Sequence, residues 1–274
     1  MGAGLIVNGQ PADSLPLTDR GLQYGDGLFE TMRWQNGAVQ FWDDHYARLQ
    51  KGCQQLGIPC PDKELLDSEL RKLIDNARAL AEPRVIKFIL TRGSGGRGYK
   101  NPDDVKPTRI FSLHPFPDYP EKNYSQGVRL RLCETRLAKN PALAGIKHLN
   151  RLEQVLARNE WQTDEFAEGL MLDQDEHVIE ATMSNVFWLK GEKIFTPSVE
   201  QCGIAGIMRG KILQIAEDLN FDTEVGEYNL DDLLTSGGVF LSNSILGIWP
   251  VSNFMDKHWT PHPVIQSLTK KLLS

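Results

Sequence analysis

The sequence predicts a mixed α/β (α+β) protein of two domains, and three observations predict it. Strand-like runs and amphipathic helices fall into separate blocks in the N-terminal half. A proline-rich stretch, 115–126, interrupts the chain, and a second series of strands and helices follows it. The 41% hydrophobic content over 274 residues is enough to bury a substantial core. The division expected is residues 1–114, a linker over 115–126, and 127–274.

Leu5–Val7 followed by Asn8-Gly9 reads as a strand entering a turn. Leu28–Trp34 and Ala38–Phe41 flank Asn36-Gly37, a strong hairpin signal. Asp43 to Gly57 has apolar residues at helical spacing and ends on glycine, and Asp62 to Ala81 repeats the pattern. Val85–Thr91 and Arg109–Leu113 read as strands on either side of a glycine-rich string. Pro115, Pro117 and Pro120 mark the linker. Beyond it, Val128–Arg136 reads as a strand and Leu149–Trp161 as a helix. Gly169–Asp173, Val178–Ile179, Asn185–Leu189 and Ile194–Thr196 read as strands, Gly206–Leu219 as a helix, Val239–Ser242 as a strand and Val264–Leu273 as a closing helix. No repeat or low-complexity tract interrupts this order.

A formal net charge of −6 argues against a nucleic-acid binder but not against a small anionic substrate, which local arginines would hold. Cys53, Cys60, Cys133 and Cys202 form no C-x-x-C pair and no zinc-ligand spacing, so free thiols and no metal are expected. The N-terminus lacks a basic signal-peptide region, and no apolar run approaches the roughly 20 residues of a membrane span. A cytoplasmic location is the expectation.

Small and apolar residues precede Lys147, in Leu143-Ala144-Gly145-Ile146-Lys147. Desolvation there would lower the pKa of the amine and free it to attack a carbonyl. Taken singly, Lys147 reads more readily as a solvated lysine beside a helix start, as most lysines are. Glu180 follows Val178-Ile179 and could keep a pyridine nitrogen protonated, or could simply end a strand. Gly203-Ile204-Ala205-Gly206-Ile207-Met208-Arg209 opens a helix whose N–H groups suit a phosphate, without the lysine of a nucleotide P-loop. Arg48, in His45-x-x-Arg48-Leu49, could grip a phosphate bidentately or pair on its own helix. Arg92-Gly93-Ser94-Gly95-Gly96-Arg97-Gly98-Tyr99 places two arginines in a glycine loop, which suits carboxylate recognition. It is no dinucleotide fingerprint, because no long helix follows it.

The order of these signals is more specific than any one of them. Tyr24-Gly25-Asp26-Gly27-Leu28-Phe29-Glu30, His45-x-x-Arg48-Leu49, Lys147, Glu180 with Ser184-Asn185-Val186-Phe187, and Gly206-Ile207-Met208-Arg209 together resemble the fold-type IV pyridoxal-phosphate (PLP) enzymes, the class IV aminotransferase-like family. The resemblance spans nearly the whole chain. Two strings, Arg92–Tyr99 and Asn140–Gln154, resemble the family's bacterial 4-amino-4-deoxychorismate lyases. Met208 departs from the threonine usual in the transaminases, which removes a side-chain phosphate contact and leaves the backbone N–H.

The resemblance implies a two-domain architecture with PLP in the interdomain cleft, the C-terminal domain binding the cofactor, and a homodimer. It implies Lys147 as the Schiff-base lysine, with Arg48, Glu180, Asn185, Ile207, Met208 and Ser244 holding PLP. Thr31 would assist proton transfer, and Arg97 and Tyr99 would bind substrate. The activity implied is elimination from 4-amino-4-deoxychorismate to give 4-aminobenzoate and pyruvate in folate biosynthesis. The alternatives are a D-amino acid or branched-chain transaminase on the same cofactor and, more distantly, a non-catalytic module binding an anionic metabolite.

Overall fold

The computed structural model describes residues 4–76 and 82–273. Its internal contacts divide the chain into two units: unit 1 is Met1–Pro117 with Ile146–Asn150, and unit 2 is Asp118–Gly145 with Arg151–Ser274.

Unit 1 comprises β1 (Leu5–Val7), β2 (Gln10–Pro11), α1 (Arg20–Tyr24), β3 (Gly27–Gln35), β4 (Ala38–Val39), α2 (Trp42–Leu56), α3 (Lys63–Asn76), β5 (Arg84–Thr91) and β6 (Thr108–Pro115). The strands form one antiparallel sheet in the order β2-β1-β6-β5-β3-β4. The Asn36-Gly37 turn forms as expected, both residues at positive φ (54° and 82°). Gly57, at φ 62°, ends α2 in the left-handed conformation. The last five residues of the expected second helix, 77–81, lie outside the described residues. On β3, Leu28, Glu30, Met32 and Trp34 are buried while Phe29, Thr31, Arg33 and Gln35 are half-buried, as the two-residue period of a strand requires. The buried set faces a core that includes Leu49, Leu66, Leu73, Ile86 and Phe88.

Unit 2 comprises α4 (Lys122–Ser125), β7 (Val128–Leu132), α5 (Leu152–Arg158), β8 (Glu168–Leu172), β9 (Val178–Ala181), β10 (Asn185–Lys190), β11 (Lys193–Pro197), α6 (Ile207–Asp218), β12 (Thr223–Gly226), α7 (Leu230–Leu234), β13 (Gly238–Asn243), β14 (Gly247–Phe254), β15 (Lys257–His258) and α8 (Pro263–Leu273). Nine strands make one mixed sheet, β12-β11-β10-β13-β14-β7-β8-β9, with β15 on β14. Both faces of its centre are covered. Val186, Trp188, Val239 and Leu241 pack into one cluster, and Phe187, Leu189 and Phe240 into another with Ile212 of α6 and Leu268 of α8. A strand buried on both faces loses polar alternation, which is why β10 reads as an unbroken apolar run.

Four sequence expectations are corrected. The helix expected over 149–161 is confined to Leu152–Arg158, because 147–149 runs extended along β3: Phe29 N–H donates to the Lys147 carbonyl (2.9 Å) and Leu149 N–H to that of Gly27 (3.0 Å). The same pairing groups Lys147 with the first unit, whereas the sequence division at 127 puts it in the second. The strand expected over 128–136 stops at Leu132. The 115–126 segment carries the end of β6 and a one-turn helix, α4. The sequence reading also passed over β14, whose Pro250 demotes it on pattern alone. The structure accommodates that proline beside a register shift between Val251 and Asn253 in the pairing with β7.

Candidate active site

Two clusters carry the predicted residues, one in each unit. In unit 1, α2 places His45 and Arg48 one turn apart, both against Glu30 of β3. Arg48 donates from Nε to Glu30 Oε1 (2.9 Å) and from its second terminal nitrogen to Oε2, while His45 Nδ1 lies 2.6 Å from Oε2. Glu30 and His45 are almost fully buried. Burial opposes the charge on Glu30, but the Arg48 guanidinium and the His45 contact outweigh it and hold the carboxyl at about 2. One edge of the Arg48 fork is therefore engaged by a carboxylate, and that edge is not available for a phosphate. Glu30 orders this cluster, and sequence reasoning quoted it only as part of a motif.

Lys147 stands on the opposite side of the same strand. Its backbone is fixed to β3 by the Phe29 bond and the Leu28–His148 bridge, and its Nζ lies 4.3 Å from the centre of the Phe29 ring. Thr31, half-buried, is two residues along that face. The structure thus brings Lys147, Phe29 and Thr31 to one side of β3 and Arg48, His45 and Glu30 to the other.

The glycine loop separates its two arginines. Arg92 is buried, donating from Nε to Asp26 (2.7 Å) and from its terminal nitrogens to the carbonyls of Leu56 and Gly57 (2.7 Å each). It closes the C-terminus of α2 and is removed as a carboxylate receptor for substrate. Arg97 and Tyr99 are exposed. Arg20, which the sequence gave no reason to single out, holds the far end of the loop. Its Nε donates to Asp26 (2.9 Å) and a terminal nitrogen to the Gly98 carbonyl (3.0 Å), with its guanidinium over Tyr24, whose ring meets Tyr99 edge-on at 5.6 Å. Burial raises the Asp26 carboxyl, but Arg92 and Arg20 outweigh it and lower the net value. Gly93 at φ 88° cannot be replaced, since a Cβ there would lie 2.0 Å from the Lys106 carbonyl oxygen.

In unit 2, Glu180, Asn185 and the start of α6 converge. Glu180, buried at the end of β9, accepts the Ile204 N–H at 2.9 Å, and Asn185 Nδ2 donates to the Ile204 carbonyl at 2.9 Å. A Cβ on Gly206 would lie 2.1 Å from Asn185 Oδ1, so only glycine lets α6 begin this close. Gly206 caps α6 with no side-chain bond and no acid follows in the first turn. The leading N–H groups, with Ile207 and Met208 buried behind them, form an anion-receptive helix start. Ser244 lies half-buried in the turn after β13, which Asn243 shapes by accepting the N–H groups of Ile245 (2.8 Å) and Leu246 (2.9 Å).

Glu168, also unremarked in the sequence, is fully buried beneath this cluster. It accepts the Thr182 hydroxyl, the Ser184 hydroxyl (2.8 Å) and the Met183 N–H (3.2 Å), fixing the chain between Glu180 and Asn185. Burial pushes its carboxyl above the usual range despite these donors. Its only sequence signal is an acid opening the apolar run of β8.

Unit 2 supplies a carboxylate braced by a backbone N–H and a helix start with no side-chain cap, and unit 1 an amine on an aromatic ring; each is a group of the kind that a phosphorylated pyridine aldehyde binds. Comparison with known proteins agrees. The family model for amino-transferase class IV matches residues 27–254. An aminodeoxychorismate lyase of Vibrio harveyi is 41% identical over 90% of this chain and 89% of its own length. The crystal structure of 4-amino-4-deoxychorismate lyase from Pseudomonas aeruginosa superposes with a TM-score of 0.92 at 45% identity, covering 98% of this chain and 97% of that one. A D-alanine aminotransferase of Bacillus licheniformis is 30% identical over 88% of this chain and 83% of its own.

Proposed function

The chain belongs to the class IV aminotransferase family, and from that premise we propose that it is a PLP-dependent lyase converting 4-amino-4-deoxychorismate to 4-aminobenzoate and pyruvate, the last step in making that folate precursor. The observation that carries the reading is the placement of Lys147, locked by its backbone to β3 with its amine over Phe29. The likeness to lyases at 41% and 45% identity supports the reaction assigned to it.

PLP, when bound, supplies an electron sink for the carbon bearing the substrate nitrogen. The chain's own residues do the rest. Lys147 would hold the cofactor, and its amine, when free, would take the proton from that carbon. Glu180, with Asn185 fixing the backbone it leans on, keeps a proton on the pyridine nitrogen. Arg48, the N–H groups of Ile207 and Met208, and Ser244 would take the phosphate. The Thr31 hydroxyl assists proton transfer to the ether oxygen as its bond to the ring breaks, taking up a proton as it passes one on. The ring becomes aromatic and the enolpyruvate released becomes pyruvate. Arg97 and Tyr99 close over the substrate from the glycine loop.

A transaminase would share every step up to proton removal, and the 30% identity to a D-alanine aminotransferase keeps that reading in the test. The purified protein should be yellow, lose its colour to borohydride and carry the reduced pyridoxyl group on Lys147 in a peptide map. It should release 4-aminobenzoate from aminodeoxychorismate far faster than it exchanges amino groups across a panel of amino acids and 2-oxo acids. The reverse preference would make it a transaminase.

The homodimer belongs to this proposal. The face of α5 formed by Leu152, Val155 and Leu156 is 75%, 50% and 60% exposed. These residues recur at i, i+3 and i+4, an apolar stripe suited to a second copy of the chain. A monomer by sedimentation at micromolar concentration would remove it. A cytoplasmic location fits four free cysteines; no helix among the described residues is long and apolar enough to cross a membrane.

A further inference from the structure

The face of the unit 1 sheet that carries Phe29 and Thr31 also carries Lys87, directly opposite Thr31 in the β3–β5 ladder. Two amines share one aromatic ring there: Lys147 Nζ is 4.3 Å and Lys87 Nζ 5.7 Å from the centre of Phe29. These distances put the two nitrogens no more than 10 Å apart.

Lys87 differs from the ion-paired arginines of this unit. Four of the unit's arginines have carboxylate partners: Arg20 and Arg92 on Asp26, Arg48 on Glu30, and Arg109 on Glu69. Lys87 is half-buried and has no carboxylate within ion-pair distance among the described residues. The next cation along the face, Arg33, lies over a different ring, Phe116, at 4.7 Å. An ammonium held on an aromatic face, partly stripped of water and without a counter-ion, is a receptor for an incoming anion.

We propose that Lys87 binds the ring carboxylate of the substrate and thereby sets which amines reach Lys147. The inference rests on the lyase reading, since it takes its substrate from there. In aminodeoxychorismate the amine and the ring carboxylate stand at opposite ends of a six-membered ring, whereas the enolpyruvyl group is attached beside the amine. With the amine at Lys147, the ring lies along Phe29 and its carboxylate end falls to Lys87. The enolpyruvyl oxygen stays at the amine end. Simple amino acids have their carboxylate on the carbon bearing the amine and cannot span this gap.

The product keeps only the ring carboxylate, so it isolates the contact. Calorimetric titration of the PLP-loaded protein with 4-aminobenzoate should show Lys87→Met binding at least about tenfold more weakly than wild type, the size of a lost charge-assisted hydrogen bond. Lys87→Arg should recover most of that loss. Cofactor content and melting temperature should match wild type in both, and Lys87→Gln serves if the methionine variant does not fold. The Michaelis constant for aminodeoxychorismate should rise in parallel, with turnover at saturation changing less. Equal 4-aminobenzoate affinity in wild type, Lys87→Met and Lys87→Arg would overturn the assignment while wild-type turnover of aminodeoxychorismate left the lyase reading standing. Wild type that makes no 4-aminobenzoate would overturn the reading itself, and the Lys87 assignment with it.

Discussion

Replacing Glu30 by glutamine should destabilise unit 1 in a way that depends on pH. Glu30 is buried between Arg48 and His45, and its carboxyl is held at about 2 against an ordinary 4.5. One pH unit of such depression is worth about 1.4 kcal/mol, so the folded state gains about 3 kcal/mol from Glu30 at pH 7. The sign follows from the direction. A depressed carboxyl stabilises fully above its unfolded value and loses that contribution as pH falls toward its folded value. The advantage of wild type over Glu30→Gln should shrink from about 3 kcal/mol at pH 7 to less than half of that at pH 3. An independent route gives a similar size, since breaking a buried ion pair on one side costs about 3–5 kcal/mol. Urea unfolding of the cofactor-free protein, followed by tryptophan fluorescence from pH 3 to 7, measures the difference without linkage to ligand. A gap that stays constant over that range, or is below about 1 kcal/mol throughout, would refute the charge argument and leave Glu30 as a space-filling side chain.

Other substitutions separate the proposed roles. Arg48→Ala should weaken PLP binding by about tenfold or more and also lower stability, because Glu30 would be left buried without its partner; unchanged cofactor affinity would confine Arg48 to the Glu30 network. Glu180→Gln should keep PLP bound and slow turnover by about 100-fold or more, and near-normal turnover would remove it from the pyridine nitrogen. Arg97→Ala and Arg97→Lys should both raise the Michaelis constant for aminodeoxychorismate with cofactor content unchanged, because lysine lacks the guanidinium fork; wild-type kinetics would return Arg97 to solvent. Glu168→Gln should relieve the cost of a buried carboxylate whose pKa is raised. Stability lost by wild type as pH rises through that value should be absent from the variant, and parallel pH profiles would contradict it.

The sequence carried the local elements well where a single rule governs them. The Asn36-Gly37 hairpin, the glycine end of α2 and the glycine start of α6 each follow from backbone conformation or close approach, which one residue type dictates. It failed where a distant partner decides. Arg92 and Arg97 look alike in a glycine loop, yet one caps α2 through the carbonyls of Leu56 and Gly57 and the other is exposed. Nothing local distinguishes them, because Asp26 and the α2 terminus lie tens of residues away. Glu30, Glu168 and Arg20 were missed for the same reason: an ionisable side chain in a strand or short helix reads as solvated until its partners are known.

Lys147 is the clearest case of tertiary pairing overriding local pattern. Helical spacing runs from Leu149 onward, and on pattern alone the lysine stands at a helix N-terminus. Instead the chain leaves unit 2 after Gly145, at φ 76°, and runs extended beside β3 before α5 starts at Leu152. A lysine at a helix start would have one flank fixed and the other open. Here the Phe29 N–H bond to the Lys147 carbonyl and the Leu149 N–H bond to the Gly27 carbonyl hold the backbone to β3 from the lysine onward, and the Phe29 ring lies under the amine. The backbone of the proposed nucleophile is thus set by β3 itself, before any cofactor binds, so the ordering entropy of the anchor is met by folding rather than by binding. That predicts a cofactor-free protein in which the Leu149 amide, bonded to the Gly27 carbonyl, exchanges with solvent as slowly as the Phe29 amide. Fast exchange there, slowed only on adding PLP, would mean that the cofactor builds its own anchor.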